Sequence, residues 1–281
     1  MFILEVETSI SMKFMLDFII IGAHRCGTTW LHENLSQHSE VFMPRQKELH
    51  FFDREDNFCQ GLAYYSRYFT SVTNNLLIGE ATPNYFATEN VPKRIHRYFP
   101  NTKLILMLRH PIDRLYSAYK LNCGNNNVIE TFESFIKRKQ IMVEEGLYYK
   151  HLLEYLEYYT MDDIHISFYA ELRKNSANVY RNILEYLDIN NTMFLPRTVS
   201  AQVNSWGIKK YNCKSRMLYY TMLALKKSRM FFLSSIIERI NRRNGKEPIK
   251  QNTRNLLLDY YRESNEHLSS ILQIDLSAWN A

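Results

Sequence analysis

Apolar runs of strand length alternate along this chain with stretches of helical period. Phe18-Ile19-Ile20-Ile21 is an unbroken hydrophobic run suited to a strand buried on both faces, although period alone does not separate it from a buried helix. Gly22 ends the run and favours the strand. Gly27-Thr28-Thr29 then opens a helical pattern through Trp30, Leu31, Leu35 and His38 that should stop between Ser36 and Ser39. From Glu48 to Phe51 polar and apolar residues alternate, as in a short half-buried strand or an extended loop. Residues 57–75 are aromatic and polar with no clean period, helical or irregular. Leu76 to Gly79 reads as a second buried strand, ended by Glu80-Ala81-Thr82-Pro83 because a residue before proline is pushed away from helix. A helix is predicted from Thr88-Glu89, an N-cap and first-turn acid, to Pro100. Lys103 to Leu108 is a third strand, running into Arg109-His110-Pro111, where proline starts a helix to about Lys120. Beyond it the pattern predicts helices over Thr131–Val143 and Tyr148–Tyr159, a strand over Ile164–Phe168 and an amphipathic helix over Asn178–Leu187. Arg216–Asn241 and Thr253–Leu272 read as wholly helical.

Strands alternating with helices imply an α/β fold with a mainly parallel sheet and a helical C-terminal part, and in such sheets ligands sit beyond the strand carboxyl ends. The turns at Gly22 and at Arg109 both lie at such ends. No linker, repeat or low-complexity tract divides the 281 residues, so one domain is expected over 1–281. Within it, 1–16 is a poorly defined leader, 201–250 a basic loop and helix, and 251–281 a C-terminal helix.

Composition narrows the class. A chain that is 46% hydrophobic and 23% charged is neither disordered nor fibrous. No window reaches the run of about 18 apolar residues that a membrane span needs. The leader carries Glu5, Glu7 and Asp17 in place of a basic region and an apolar core, so it does not read as a signal peptide, and a cytoplasmic location is expected. Cys26, Cys59, Cys123 and Cys213 lack paired spacing, which argues for free thiols and against a zinc site or disulfide framework; no metal is expected. Charge is uneven: residues 201–250 hold twelve Lys and Arg against Glu238 and Glu247, a net +10 in a chain of net +6. A basic segment thus sits on a mildly acidic body, open to an anionic ligand, an acidic acceptor or a membrane surface.

The candidate chemistry starts at Gly22. Gly22 and Gly27 let successive N–H groups turn toward an anion, and the following helix N-terminus adds its partial positive charge. The spacing G-x-x-x-x-G is that of a nucleoside-triphosphate loop, but Thr28 stands where that loop carries lysine. Arg25 supplies a cation from inside the loop instead, with Thr28 and Thr29 as hydroxyl and N–H donors. That set suits a single 5′-phosphate bearing a transferring group better than a triphosphate with magnesium. A glycine-bearing turn of any doubly wound fold accounts for the same residues without a ligand. Arg109 and Ser117, about two helical turns apart, offer a guanidinium and a hydroxyl for a second phosphate; such an arginine is equally at home solvated or paired with an acid.

Three segments in order, IGAHRCGTTWLHENLSQHSEVFMPRQKELHFFD, GEATPNYF and LILMLRHPIDRLYSAYK, resemble the 5′-phosphosulfate loop, the acceptor-site strand and the 3′-phosphate motif of the sulfotransferases, with closest similarity to prokaryotic members and to the heparan sulfate branch. The similarity runs from about Asp17 to Asp188 and resumes at ILQIDLSAW. It implies a P-loop-like three-layer scaffold and transfer of a sulfuryl group from 3′-phosphoadenosine-5′-phosphosulfate (PAPS), without a metal, to a hydroxyl or amine of a carbohydrate, lipid or small metabolite. By the same resemblance Arg25, Cys26, Gly27, Thr28, Thr29 and Trp30 hold the 5′-phosphosulfate, and Arg109 with Ser117 the 3′-phosphate. Glu48 is the general base, with His50 as second base or orienting partner. Taken without the resemblance, Glu48 is a solvated carboxylate and His50 a structural histidine. Lys209, Lys214 and Arg216 are expected in a loop that closes over the nucleotide.

The chain also departs from the pattern. The heparan branch usually has lysine at the place of Arg25, and arginine does not readily give up its proton, so Arg25 is expected to clamp charge and donate hydrogen bonds. That branch also tends to have lysine at Ala81, and its disulfide loop and membrane anchor have no counterpart here, so heparan sulfate is not the expected acceptor. The helix from Arg216 mixes Leu218, Tyr219, Met222, Leu225, Phe231, Phe232 and Ile236 with lysines, which fits peripheral membrane contact or, more simply, an apolar side packed on the body. The alternatives to a sulfotransferase are an ATP-dependent P-loop kinase and a non-enzymatic protein binding nucleic acid or an anionic surface; no nucleic-acid partner is expected under the leading reading.

Overall fold

A computed structural model describes residues 15–70, 72, 76–126, 130–190, 193–196, 198–200, 216–228, 230–241 and 249–281. In chain order its elements are β1 (Phe18–Gly22), α1 (Thr28–Leu35), β2 (Val41–Phe42), α2 (Glu55–Phe58), α3 (Gly61–Tyr65), β3 (Leu77–Ala81), α4 (Val91–Tyr98), β4 (Lys103–Leu108), α5 (Pro111–Asn126), α6 (Phe132–Arg138), α7 (Gln140–Glu144), α8 (Tyr148–Leu156), β5 (Ile164–Phe168), α9 (Tyr169–Lys174), α10 (Ser176–Tyr186), α11 (Arg216–Lys227), α12 (Phe231–Asn241) and α13 (Gln251–Leu272). The chain forms two compact units, 1–108 with 153–201, and 109–152 with 202–281.

The first unit holds the whole sheet. Its five strands lie in the order β2-β3-β1-β4-β5, and every pairing is parallel, as the apolar runs imply. All five residues of β1 are buried, so this strand is the sheet's axis. From β1 the chain builds outward to β2 and β3 on one side, then crosses to β4 and β5 on the other. The loop after β1 therefore lies where the winding reverses, the usual ligand position of such sheets. Phe18 packs flat against Gly79 of β3: a Cβ there would sit 2.1 Å from the Phe18 ring, which explains glycine inside a buried strand.

Several boundaries differ from the pattern-based expectation. The second strand runs on through Glu80 and Ala81, because pairing with β1 continues as Ile20 against Ala81 up to the residue before Thr82-Pro83. The helix expected at Thr88 starts at Val91, where Pro92 pre-sets the first turn and Asn90 takes a left-handed conformation. Of the strand and extended-loop readings of Glu48–Phe51, the structure shows the loop. Residues 55–69 are short helical turns around a cluster of Phe51, Phe52, Phe58, Tyr65 and Phe69, so tertiary stacking accounts for their aromatics.

In the second unit α5 continues six residues past Lys120 to Asn126, and α6 and α7 divide at Lys139. Ile112, Leu115 and Tyr119 of α5 join Phe132, Phe135, Leu257 and Tyr261 in its core. Arg114 is buried in this unit, paired with Glu145 at 2.8 Å, so its charge is structural. The helix expected over Arg216–Asn241 is two, α11 and α12, packed on each other. Their apolar residues divide between inside and outside: Met222 is 3% exposed, whereas Met217 and Phe232 are 81% and 78% exposed. No described helix is long and apolar enough to cross a membrane. Cys26 and Cys123 are buried and Cys59 is exposed.

Candidate functional site

The loop from Ala23 to Gly27 leaves the carboxyl end of β1 and enters α1. Arg25 has φ 70° and Gly27 φ 105°, both left-handed. A Cβ on Gly27 would meet Leu172 Cδ2 at 2.9 Å and Met107 Cε at 3.2 Å, so only glycine combines that dihedral with that packing. Gly22 is confined as well: a Cβ would lie 2.6 Å from Phe86 Cβ and 3.0 Å from the Pro83 carbonyl. The first bond inside α1 runs from Leu31 N–H to the Gly27 carbonyl at 3.2 Å. The N–H groups of Thr28, Thr29 and Trp30 precede that bond, and α1 has neither a side-chain cap nor an acid in its first turn. Donors without a capping side chain, beside Arg25, fit an anionic group in the loop.

The loop residues divide by exposure. Thr29 is exposed and Arg25 half-buried, while Cys26 and Thr28 are buried. Trp30 is also buried; its Nε1–H donates to the Val199 carbonyl at 3.3 Å and its ring meets Tyr180 edge-on, so its side chain packs beneath the loop.

Glu48 sits at the carboxyl end of the neighbouring strand, its N–H donating to the Ala81 carbonyl at 3.0 Å. Thr82 N–H faces β1, donating to the Ile20 carbonyl at 3.2 Å, so the Ala81 carbonyl that Glu48 engages faces the other edge of β3, and what links Glu48 to the loop is the charge of His24. Glu48 Oε1 accepts from Lys47 Nζ at 2.9 Å, and Oε2 is 3.8 Å from His50 Nε2. Burial alone would raise the Glu48 carboxyl, but the charge and hydrogen bond of Lys47, with the His24 and His50 imidazoles, outweigh it and hold the group below the ordinary carboxylate range. His24 belongs to the Ala23–Gly27 loop, so loop and carboxylate share one electrostatic environment. On the other side of His50, Nδ1 lies 2.7 Å from Asp53 Oδ2. A carboxylate only accepts, so this pairing puts the imidazole proton on Nδ1 and leaves Nε2 toward Glu48.

Lys47 and Asp53 complete the pair expected from sequence. Asp53 was legible as an acid three residues past His50; Lys47 carried no signal beyond its neighbour. A third feature was not legible. Glu80 of β3 is 1% exposed and accepts from Tyr65 Oη and Thr82 Oγ1, each at 2.8 Å. Burial pushes its carboxyl up to about 7, only partly opposed by hydrogen bonds from Thr82, Tyr65 and Tyr85. The folded protein thus holds this proton more tightly than the unfolded chain. The resulting stability is fully present below the ordinary pKa of 4.5 and is lost as pH rises through about 7. Relative to Glu80→Gln, the wild type is expected to lose on the order of 3 kcal/mol of unfolding free energy between pH 4.5 and 8, read by urea titration. A difference that stays flat with pH would refute the burial account.

In the second unit Arg109 directly follows β4, and its carbonyl accepts from Tyr148 Oη at 2.8 Å. Its neighbour His110 accepts the Ile112 N–H on Nδ1 at 3.2 Å and packs on Trp279, which also packs on Tyr148. Ser117 is half-buried on α5. Lys209 and Lys214 lie outside the described residues, and Arg216 is the first residue of α11.

The family model for the sulfotransferase domain matches residues 16–239. Mouse heparan sulfate glucosamine 3-O-sulfotransferase 5 is similar at 31% identity over 160 residues, covering 53% of this chain and 46% of that protein. The membrane-associated sulfotransferase kil1 of Dictyostelium discoideum is 38% identical over 106 residues, 37% of this chain and 22% of that one. The chain therefore spans about half or less of the length of these curated relatives. A solved sulfotransferase from Alicyclobacillus acidocaldarius has the same fold, with TM-score 0.71 and 21% identity over 95% of this chain and 100% of the other. With the family model covering most of the chain and the motif segments occurring within it in order, the chain belongs to the sulfotransferase family.

Proposed function

We propose that this protein moves a sulfuryl group from PAPS to a hydroxyl or amine of a carbohydrate, lipid or small-metabolite acceptor, with Glu48 as the general base. The observation that carries the proposal is the placement of Glu48 at the carboxyl end of β3, linked to the phosphate loop by the charge of His24 and kept ionised by Lys47, His24 and His50. An ionised carboxylate can take the acceptor's proton as the new oxygen–sulfur or nitrogen–sulfur bond forms. His50, fixed by Asp53, orients Glu48 or relays its proton. Arg25 and the N–H groups of Gly27, Thr28 and Thr29 neutralise the 5′-phosphate as its bond to sulfur breaks. Cys26 and Trp30 support the loop from beneath. Arg109 and Ser117 are assigned the 3′-phosphate by their motif positions, and Lys209, Lys214 and Arg216 a loop that closes over the nucleotide, by the place of the basic segment in the chain. The name of the mouse relative makes carbohydrate hydroxyls the first acceptor class to try, while Arg25 and Ala81, where the heparan branch usually has lysine, weigh against heparan sulfate itself.

Titration calorimetry with 3′-phosphoadenosine-5′-phosphate, the product nucleotide, should show saturable binding without magnesium. The same protein should move labelled sulfate from PAPS to acceptors in a cell extract. Absence of nucleotide binding, or binding only of ATP with magnesium, would sink the proposal.

A further inference from the structure

Glu48 and His50 both hold left-handed backbone conformations, with φ 65° and 52°, and only the buried Leu49 separates them. Residues with a Cβ leave that region unless their surroundings hold them there. What holds this loop is mostly side-chain oxygen. Leu49 N–H donates to Thr82 Oγ1 at 3.0 Å, and the N–H groups of Phe51 and Phe52 both donate to Tyr85 Oη, at 3.0 and 3.4 Å. Asn57 Nδ2 closes the far side on the His50 carbonyl at 2.7 Å.

Thr82 is fully buried, and its hydroxyl has one proton, which goes to Glu80 Oε2 at 2.8 Å. With that proton committed, the lone pairs of Oγ1 are free for Leu49 N–H, between the two left-handed residues. Glu80 is itself anchored by Tyr65 Oη. The hydrogen bonds from Tyr65 to Glu80, from Thr82 to Glu80 and from Leu49 N–H to Thr82 thus tie a carboxyl buried in the sheet to the loop backbone. Such a tie beneath a strained loop that bears the base is the pattern of a positioning element.

We propose that Thr82, oriented by Glu80, is a positioning residue that holds the Glu48–His50 backbone in its left-handed conformation and thereby aims Glu48 at the acceptor. This rests on Glu48 being the base. Neither Thr82 nor Glu80 touches the substrates in this scheme; both act through the loop.

The test compares Thr82→Val, which keeps shape and loses the hydroxyl, with Thr82→Ser, which restores it. Affinity for 3′-phosphoadenosine-5′-phosphate and the initial rate of labelled-sulfate transfer from PAPS are measured together, with Glu48→Gln alongside. Thr82→Val is expected to bind the nucleotide within about twofold of wild type and to transfer sulfate about 10- to 100-fold more slowly, since small displacements of a reacting group cost rates of that order. Thr82→Ser should recover most of the rate. Should Thr82→Val fail to fold, Tyr85→Phe removes the acceptor for Phe51 and Phe52 while keeping the buried ring, and the same split is expected. A transfer rate within about twofold of wild type for the folded variant would overturn the proposal. So would a parallel loss of nucleotide binding, or no recovery with serine. If Glu48→Gln is inactive while Thr82→Val is active, only the positioning role falls. If Glu48→Gln transfers at the wild-type rate, the base assignment falls and the positioning role with it.

Discussion

Glu48→Gln is expected to slow sulfuryl transfer by about 10²- to 10⁴-fold, the usual contribution of a positioned general base, while leaving nucleotide binding intact. The amide has nearly the carboxylate's shape and can keep one hydrogen bond, so the 41% exposed side chain need not move. What disappears is the ability to take a proton. Lys47 and the two imidazoles hold the carboxyl below its ordinary pKa, so the base form persists down to mildly acidic pH, and the Glu48 limb of the kcat/KM profile should lie below about 4.5. Lys47→Met removes the first opposing charge and hydrogen bond and leaves burial to act, so that limb should move upward. A Glu48→Gln enzyme of wild-type rate, or an acid limb that ignores Lys47, would show that the base lies elsewhere.

Arg25→Ala is expected to cost about 10²- to 10³-fold in kcat, the scale seen when one preorganised donor is removed from a developing anion. Arg25 lies inside the loop, half-buried, two residues before the glycine that opens α1. The helix brings no side-chain cap of its own, so under the proposed assignment loss of this cation would leave the leaving 5′-phosphate to the uncharged N–H and hydroxyl donors of the loop and helix start. Arg25→Lys separates charge from geometry. Recovery of most of the rate would identify the positive charge as the operative property, whereas a lysine variant as slow as alanine would point to the planar guanidinium fork. Transfer by Arg25→Ala within about threefold of wild type would remove the residue from the mechanism. Paired measurements of kcat and nucleotide affinity distinguish a clamp on the departing phosphate from a contact to the bound ground state.

Much of this architecture was legible because it depends on local pattern. The apolar runs at Phe18–Ile21 and Lys103–Leu108 became inner parallel strands, since burial on both faces tolerates such runs, and the alternating Ile164–Phe168 became the edge strand. Gly22 and Gly27 announced the loop because close packing at both, and a left-handed conformation at Gly27, admit no Cβ. The two-residue β2 and the short turns over 55–69 were not readable: too few residues carry a period, and their form comes from aromatic contacts between distant segments. The same is true of α4, whose start is set by Asn90 and Pro92 although Thr88-Glu89 is the better local signal.

At the site the division follows reach. Residue type and spacing along the chain pointed to the loop and Arg25, because glycine freedom and charge are properties of neighbouring residues, whereas Glu48 and His50 were singled out only by the family resemblance. Tertiary structure alone decided that Thr82 and Tyr85, more than thirty residues away, would accept the N–H groups of the Glu48 loop, and that a carboxyl at Glu80 would be buried beneath it. The physical reason is that buried donors and acceptors must find partners wherever packing brings them, and a one-dimensional pattern carries no record of which oxygen will be near which N–H.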